Sequence, residues 1–313
     1  MSGISVVVPS FNHERFIERT LRSIFAQTEP IEKLLVIDDG SRDGSAAVIE
    51  SVLRDSPIDC ELQVRENRGL SATLNEGFAA TGSEFFAYIG SDDLWRSDFL
   101  AQQLRLLRTR PAAVLAFSHA FLIDEDDTII DRTDNWTSFA DGDVLPYLLR
   151  GQVFSSPGVV YRRSALERHS WNEDSILEDY ELYLKLSADG EFARNSNVLC
   201  GWRQHGSNVS RNFPRMLEEW IKAQDKIAGS LPISRRELDQ MQSGLRFDSV
   251  ASLVRGGYRA EARRLFRENL GGARSVFDML RMASRLAVPQ TLFEANRRRK
   301  LSNTKERYGK FPG

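Results

Sequence analysis

Cysteine is nearly absent from this chain of 313 residues, which has only Cys60 and Cys200, far apart and without a CxxC partner. That scarcity excludes a disulfide-built scaffold and a cysteine metal knuckle, and two reduced, buried thiols fit a cytoplasmic protein. Long apolar runs are missing too: the longest, AAVLAF at 112–117, falls far short of the ~20 residues that span a bilayer. Met1-Ser2-Gly3 runs straight into a strand-like segment without a basic leader, so no secretory signal is expected. Both glycine-rich phosphate loops are lacking. A dinucleotide fold needs GxGxxG after its first strand, where this chain has PSFNHERF, and no GxxxxGK[ST] occurs. A nucleotide, if bound, must be held by side chains. No RNA or DNA module is recognisable, so no nucleic-acid partner is expected.

What is there is an ordinary globular composition, 41% hydrophobic and 27% charged, in a chain longer than one hydrophobic core usually serves. The net charge of −2 hides a split. From Arg255 onward there are 15 Lys and Arg against 5 Asp and Glu, a net of +10, whereas the first 254 residues carry 27 against 39, a net of −12. A basic end of this kind suits contact with an anionic membrane surface, a solvated helical face or an oligomer contact.

The first half alternates between two periods. ISVVV (4–8), KLLVI (33–37), ELQVR (61–65) and EFFAYI (84–89) read as strands. Helical spacing appears in Phe16, Ile17, Leu21, Ile24 and Phe25, in SAAVIESVLRD (45–55) and in LSATLNEGFAA (70–80). Such alternation predicts a mostly parallel sheet flanked by helices, an α/β fold whose ligands sit beyond the C-terminal strand ends. Three of those ends are chemically loaded: PSFN, DDGSRDGS and GSDD. Further on, VLAFS (114–118) and GVVY (158–161) read as strands, with a short helix expected at 143–150 and a polar one at 178–190. An all-α, basic extension is expected over 213–313 after an α/β domain of 1–212, with a helix pair at 242–270 and a poorly ordered last stretch.

Taken alone, GSDD is either a turn or a pair of carboxylates gripping a divalent metal. Asp38-Asp39 is a solvated turn, a helix cap or a ligand contact. Glu178-Asp179 either complements a helix dipole or does acid–base work.

In order, VVVPSFNHERFIERTLRSIFAQT, LLVIDDGSRDGS and ENRGLSATLNEGFAATGSEFFAYIGSDD resemble the family 2 glycosyltransferases of the GT-A fold. The likeness covers roughly residues 4–100, and EDYELYLKLS with WRQHGSNVS extends it to about 210. It implies an inverting, metal-dependent enzyme moving a sugar from a nucleoside diphosphate sugar, most often UDP-linked, to a hydroxyl of a glycan or lipid-linked acceptor. The implied setting is cell-surface polysaccharide or lipopolysaccharide assembly, with the enzyme cytoplasmic or peripheral at the inner face of the membrane.

Residue by residue, the resemblance implies that Phe11 walls the base, with Pro9 and Ser10 giving nearby backbone contacts. Asp39 would accept from the uracil N3–H. Arg68, next to Asn67, would reach the donor or lie on the surface, and Asn75 is structural or touches the ribose or the loop carrying Asp92. Asp93 would ligate Mg²⁺ or Mn²⁺, and Asp92 would face the ribose or a metal-bound water. Gly90 stands where the family has a further Asp. His205 would complete the metal shell or bond the leaving phosphate, helped by Arg203 and Ser207. Asp179 would be the catalytic base with Glu178 in support, or the reverse. Trp95, Trp171 and Trp202 line the acceptor site or pack in the core. His13 is read as incidental. The Gly90 departure leaves open a nucleotide-sugar-binding or scaffold protein without turnover, and a nucleotidyltransferase is a further rival.

Overall fold

The computed structural model describes residues 3–135, 137–206 and 212–312, so Ser207 lies outside the described residues. The chain opens with β1 (Ile4–Ser10), α1 (Ile17–Phe25), β2 (Lys33–Asp38), α2 (Ser45–Arg54), β3 (Cys60–Val64), α3 (Leu70–Ala79) and β4 (Phe85–Tyr88). These four strands are parallel, and β1 lies between β2 and β4. Alternate residues of β1 face opposite ways, as the two-residue period of a strand requires. Ile4, Val6 and Val8 meet Ile17, Leu21 and Ile24 of α1 on one face, while Val7 meets Leu74 of α3 on the other. Both faces are therefore dry, which is why β1 reads as an unbroken apolar run. Gly77 lets α3 approach closely: a Cβ there would sit 2.6 Å from Val7 Cγ1.

The second half extends the sheet past β4. It contributes β5 (Leu94–Trp95), α4 (Phe99–Thr109), β6 (Ala113–Ile123), β7 (Ile129–Arg132), α5 (Leu145–Leu148), β8 (Val159–Arg162), α6 (Arg163–Leu166), α7 (Glu178–Asp189) and β9 (Glu191–Arg203). The strand order is β3-β2-β1-β4-β8-β6-β9-β5, with β7 on the side of β6. β8 is antiparallel to β4 and β6, so the sheet is mixed rather than parallel throughout. The 13-residue β9 has no counterpart in the sequence reading. Its polar centre, Arg194 to Asn197, masks the strand signal, and the pairing with β6 shifts register on both sides of His119.

Beyond residue 212 the described chain is helical: α8 (Phe213–Ile227), α9 (Arg235–Arg255), α10 (Arg259–Glu268), α11 (Val276–Ala287) and α12 (Gln290–Tyr308). A capping box, Ser234 with Glu237, starts α9. Ala223, Ile227, Leu231 and Leu238 join the sheet's own core, whereas Leu245 to Met282 form a second cluster. The last stretch is not poorly ordered as the sequence reading expects. α12 runs to Tyr308, and the chain then pairs with the turn between β6 and β7: Ile129 N donates to Gly309 O (2.9 Å) and Phe311 N to Asp127 O (2.8 Å). Phe311 is buried against Leu94, Ile123 and Ile129, in space left by Gly201. Isolated basic charges concealed the apolar anchor beyond them.

Candidate active site

The loaded strand ends meet at one edge of the sheet. After β1 the chain turns through Asn12 at φ 56°, leaving Phe11 43% exposed. Pro9 and Ser10 stay within the strand, and Ser10 O accepts from Asp39 N (2.8 Å). The Ser10 hydroxyl is buried without a partner. After β2, Asp38 folds its own turn by accepting from the Ser41 N–H (2.8 Å) and hydroxyl (2.7 Å). Asp39 reaches across to the loop before α3. Its Oδ1 accepts from the Arg65 guanidinium and from Arg68 N (2.8 Å), and its Oδ2 from Gly69 N (2.8 Å). With two lone-pair directions per oxygen, Oδ1 is saturated and Oδ2 retains one acceptor position. Gly40, at φ 78°, must be glycine because a Cβ would lie 2.8 Å from Asn67 N. The Arg68 side chain is mostly exposed and leans on Glu76 (3.4 Å).

GSDD follows β4 directly. Asp92 turns its carboxylate toward two imidazoles: His205 Nε2 lies 2.8 Å from Oδ2, and His13 Nδ1 lies 3.8 Å from Oδ1. One ligand atom from each of His13, Asp92 and His205 falls within 4.8 Å of the others, the one such group among the described residues that could hold a metal ion. His13 also shares a 2.7 Å hydrogen bond with Ser91 Oγ, and Phe16 stacks on His205 at 5.6 Å. Burial lowers the His13 pKa, against the opposing pull of the Asp92 carboxylate. Burial also pushes Asp92 up, but the His205 hydrogen bond and the imidazole charges outweigh it and hold the carboxylate below its ordinary value.

Asp93 is tied to the end of β9 through one oxygen, and its Oδ2 stays beside Gly90. Its Oδ1 accepts from Arg203 N (2.8 Å), and burial, then the neighbouring Asp92 charge, drive its pKa well up. Arg203 is fully buried and ties the loop together. Its guanidinium donates to Asp92 O (2.6 Å), Asp124 O (2.7 Å) and the Asp127 carboxylate (2.6 Å) and lies 4.7 Å from the Phe16 ring centroid. A Cβ at Gly90 would stand 2.9 Å from Asp92 Oδ1. Glycine there gives the Asp92 carboxylate its room.

Glu178 and Asp179 open α7, half-buried in an aromatic recess. The Tyr88 hydroxyl, two residues before Gly90, donates to Asp179. Burial raises Asp179 to about 6, held back by the Tyr88 hydroxyl. Burial and then the Asp179 charge raise Glu178 to about 8. A helix N-terminus favours carboxylates, so desolvation here exceeds the dipole's opposing pull. Carboxyls that titrate this close to neutrality can take and return protons.

Tyr88 and His13 were not singled out from sequence. Tyr88 sat inside an apolar strand run, and His13 looked like one polar residue among several. Asn75 has a structural part: it exchanges hydrogen bonds with the Trp171 backbone (2.9 and 3.0 Å), pinning α3 to the loop before α7. Trp95 is buried against Phe99 and bonded to Pro157 O, a core residue. Trp171 is buried with its ring near Tyr88, Phe86 and Tyr161. Trp202 packs partly buried on the α1-side core.

The family model described as Glycosyl transferase family 2 matches residues 5–170. An uncharacterized glycosyltransferase of Nostoc sp., alr2836, is 30% identical over 169 residues, covering 53% of this chain and 52% of that protein. The chain thus spans about half of that relative's length. The Escherichia coli WfaP, a UDP-Glc:α-D-GlcNAc-diphosphoundecaprenol β-1,3-glucosyltransferase, is 24% identical over 68% of this chain and 81% of its own. Among solved structures, Staphylococcus aureus TarS 1–349 with UDP-GlcNAc superposes with a TM-score of 0.63 at 15% identity, over 95% of this chain and 92% of that one. The mannosyltransferase PcManGT of Pyrobaculum calidifontis, in complex with GDP-Man and Mn²⁺, also gives 0.63, at 16% identity over 97% and 86%. At such identities the superpositions speak for the fold alone.

Proposed function

This chain belongs to glycosyl transferase family 2, and on that premise we propose that it is a metal-dependent, inverting enzyme that takes its sugar from a UDP-linked donor. The acceptor is a hydroxyl of a glycan or lipid-linked saccharide, in the assembly of a cell-surface polysaccharide. The observation that carries this reading is the meeting, at one sheet edge, of an Asp92–His205–His13 cluster with an Asp179 carboxyl linked to the same strand through Tyr88.

Phe11 offers an exposed ring face to a base, and the free Asp39 Oδ2 position suits a ring N–H donor. Uracil, thymine and guanine have such an N–H, whereas cytosine has an acceptor there. Two imidazole nitrogens and one carboxylate oxygen fit Mn²⁺ better than Mg²⁺, which prefers all-oxygen sites, and His13, Asp92 and His205 would hold it. Bound, such an ion supplies positive charge against the departing diphosphate. Asp93, buried and committed to Arg203 N, keeps the loop's shape. Asp179 accepts the proton of the acceptor hydroxyl as that oxygen bonds to the anomeric carbon and the bond to the diphosphate oxygen breaks on the opposite face. Glu178, protonated through neutral pH, keeps a second negative charge away from Asp179.

Calorimetric titration with UDP, dTDP, GDP and CDP, each with and without Mn²⁺, tests the donor half. UDP should bind with Mn²⁺ at least ~10-fold more tightly than without it, and CDP should not bind. Asp92→Asn should lose the Mn²⁺ effect while Asp93→Asn keeps it. CDP binding as well as UDP would sink the Asp39 assignment. Asp179→Asn tests the other half: UDP binding kept, and transfer reduced by roughly 10²–10⁴-fold.

A further inference from the structure

The C-terminal helices carry a surface that this chemistry leaves unused. α11 buries Met282 and packs Met279 and Leu286 against the α9 cluster. Its other side is exposed and apolar: Val276 is 65% exposed, Phe277 83% and Leu280 63%. At the helical spacing of about 100° per residue these three share an arc of roughly 100°, with Ser284 and Ala287 within it and Arg281 and Arg285 along one border. Leu292, in the first turn of α12, is 58% exposed in its turn.

The surroundings are cationic. Arg274, paired with Asp248 (3.2 Å), precedes the helix, and Arg297, Arg298, Arg299 and Lys300 are all exposed on α12. The one acid of α11, Asp278, is already bonded by Arg281 (2.8 Å). Arg255 and Arg285 crowd each other: after burial, the Arg285 charge is what lowers the Arg255 pKa. Among the described residues no helix is long and apolar enough to cross a membrane.

We propose that α11 docks this protein on the anionic surface of a lipid bilayer, with Val276, Phe277 and Leu280 entering the headgroup–acyl boundary and the flanking arginines meeting lipid phosphates. An aromatic and two aliphatic residues on one face beside arginines are the chemistry of an interfacial helix. A stable protein partner needs more, since such interfaces engage roughly 20–30 residues a side. The net of +10 from Arg255 onward supplies the attraction to anionic lipid, while the net of −12 on the rest turns the sheet domain away from it. The inference stands apart from the sugar chemistry, and either can fail without the other.

Sedimentation of the full chain with phosphatidylglycerol-containing vesicles, against pure phosphatidylcholine vesicles, tests it. Wild type should bind the anionic vesicles at least ~10-fold better, with the difference abolished at high salt. Phe277→Asp and Leu280→Asp change exposed side chains, so UDP binding should be unchanged in both while vesicle binding falls ~10-fold or more. Equal binding to both vesicle types, or no binding to either, would overturn the proposal. So would a dimer, detected by light scattering, that Phe277→Asp dissociates without any vesicle binding, because the face would then belong to a second copy.

Discussion

At the scale of single residues, the site is built from groups held off their ordinary protonation. Asp179 sits near 6 because burial outweighs the Tyr88 hydrogen bond that favours its charge. Tyr88→Phe should therefore move the acidic limb of the kcat/KM profile upward by about one pH unit, since a hydrogen bond to a charged group is worth about 1.5–3 kcal/mol. A limb that stays in place would deny Asp179 the part of base. The same shifts bear on stability with a definite sign. Asp179 and Glu178 have folded pKa values raised above their unfolded ones, so their contribution is fully present below about pH 4 and is lost as pH rises through about 6 and then about 8. Asp92, Asp93, Asp179 and His205 are legible in the sequence by resemblance, but which carboxylate bonds His205 is not. That depends on the Arg203 N–H capturing Asp93 across 110 residues of chain, a contact with no local signature.

At the scale of elements, the strand–helix alternation through residue 89 was legible because β1, β2 and β4 are buried on both faces and their helices carry regular apolar stripes. β9 was not, because its middle is polar and its partner β6 lies some 80 residues earlier. Length and pairing made it a strand, and propensity did not. The tight contact of α3 on β1 gives an element-scale prediction. Gly77→Ala places a methyl against Val7 and should cost about 1–3 kcal/mol in denaturant unfolding, with UDP binding retained in the folded fraction. Unchanged stability would mean that α3 can shift outward at no cost, and the Asn75 clamp on Trp171 would then be the firmer tie.

At the scale of the whole molecule, the stretch after α12 is mechanically joined to the GSDD loop. Phe311 packs on Leu94, the residue after Asp93, and its backbone binds Asp127, whose carboxylate holds the guanidinium that grips Asp92 O. Lys305 adds an ion pair to Asp124 (2.8 Å). Phe311→Ala should raise the Mn²⁺ dissociation constant several-fold, toward the ~10-fold loss expected when support of metal ligands is removed, while UDP affinity without metal stays constant. Equal loss of both would point to general unfolding instead. The basic tail, unremarkable as composition, is in this light the strap of the candidate metal loop. The ribosome makes GSDD long before it makes Phe311. On a nascent chain the sheet can close while its reactive loop still lacks this support, so the candidate metal site would mature only after Phe311 has emerged, and a product cut short before residue 305 would fold yet remain slack there.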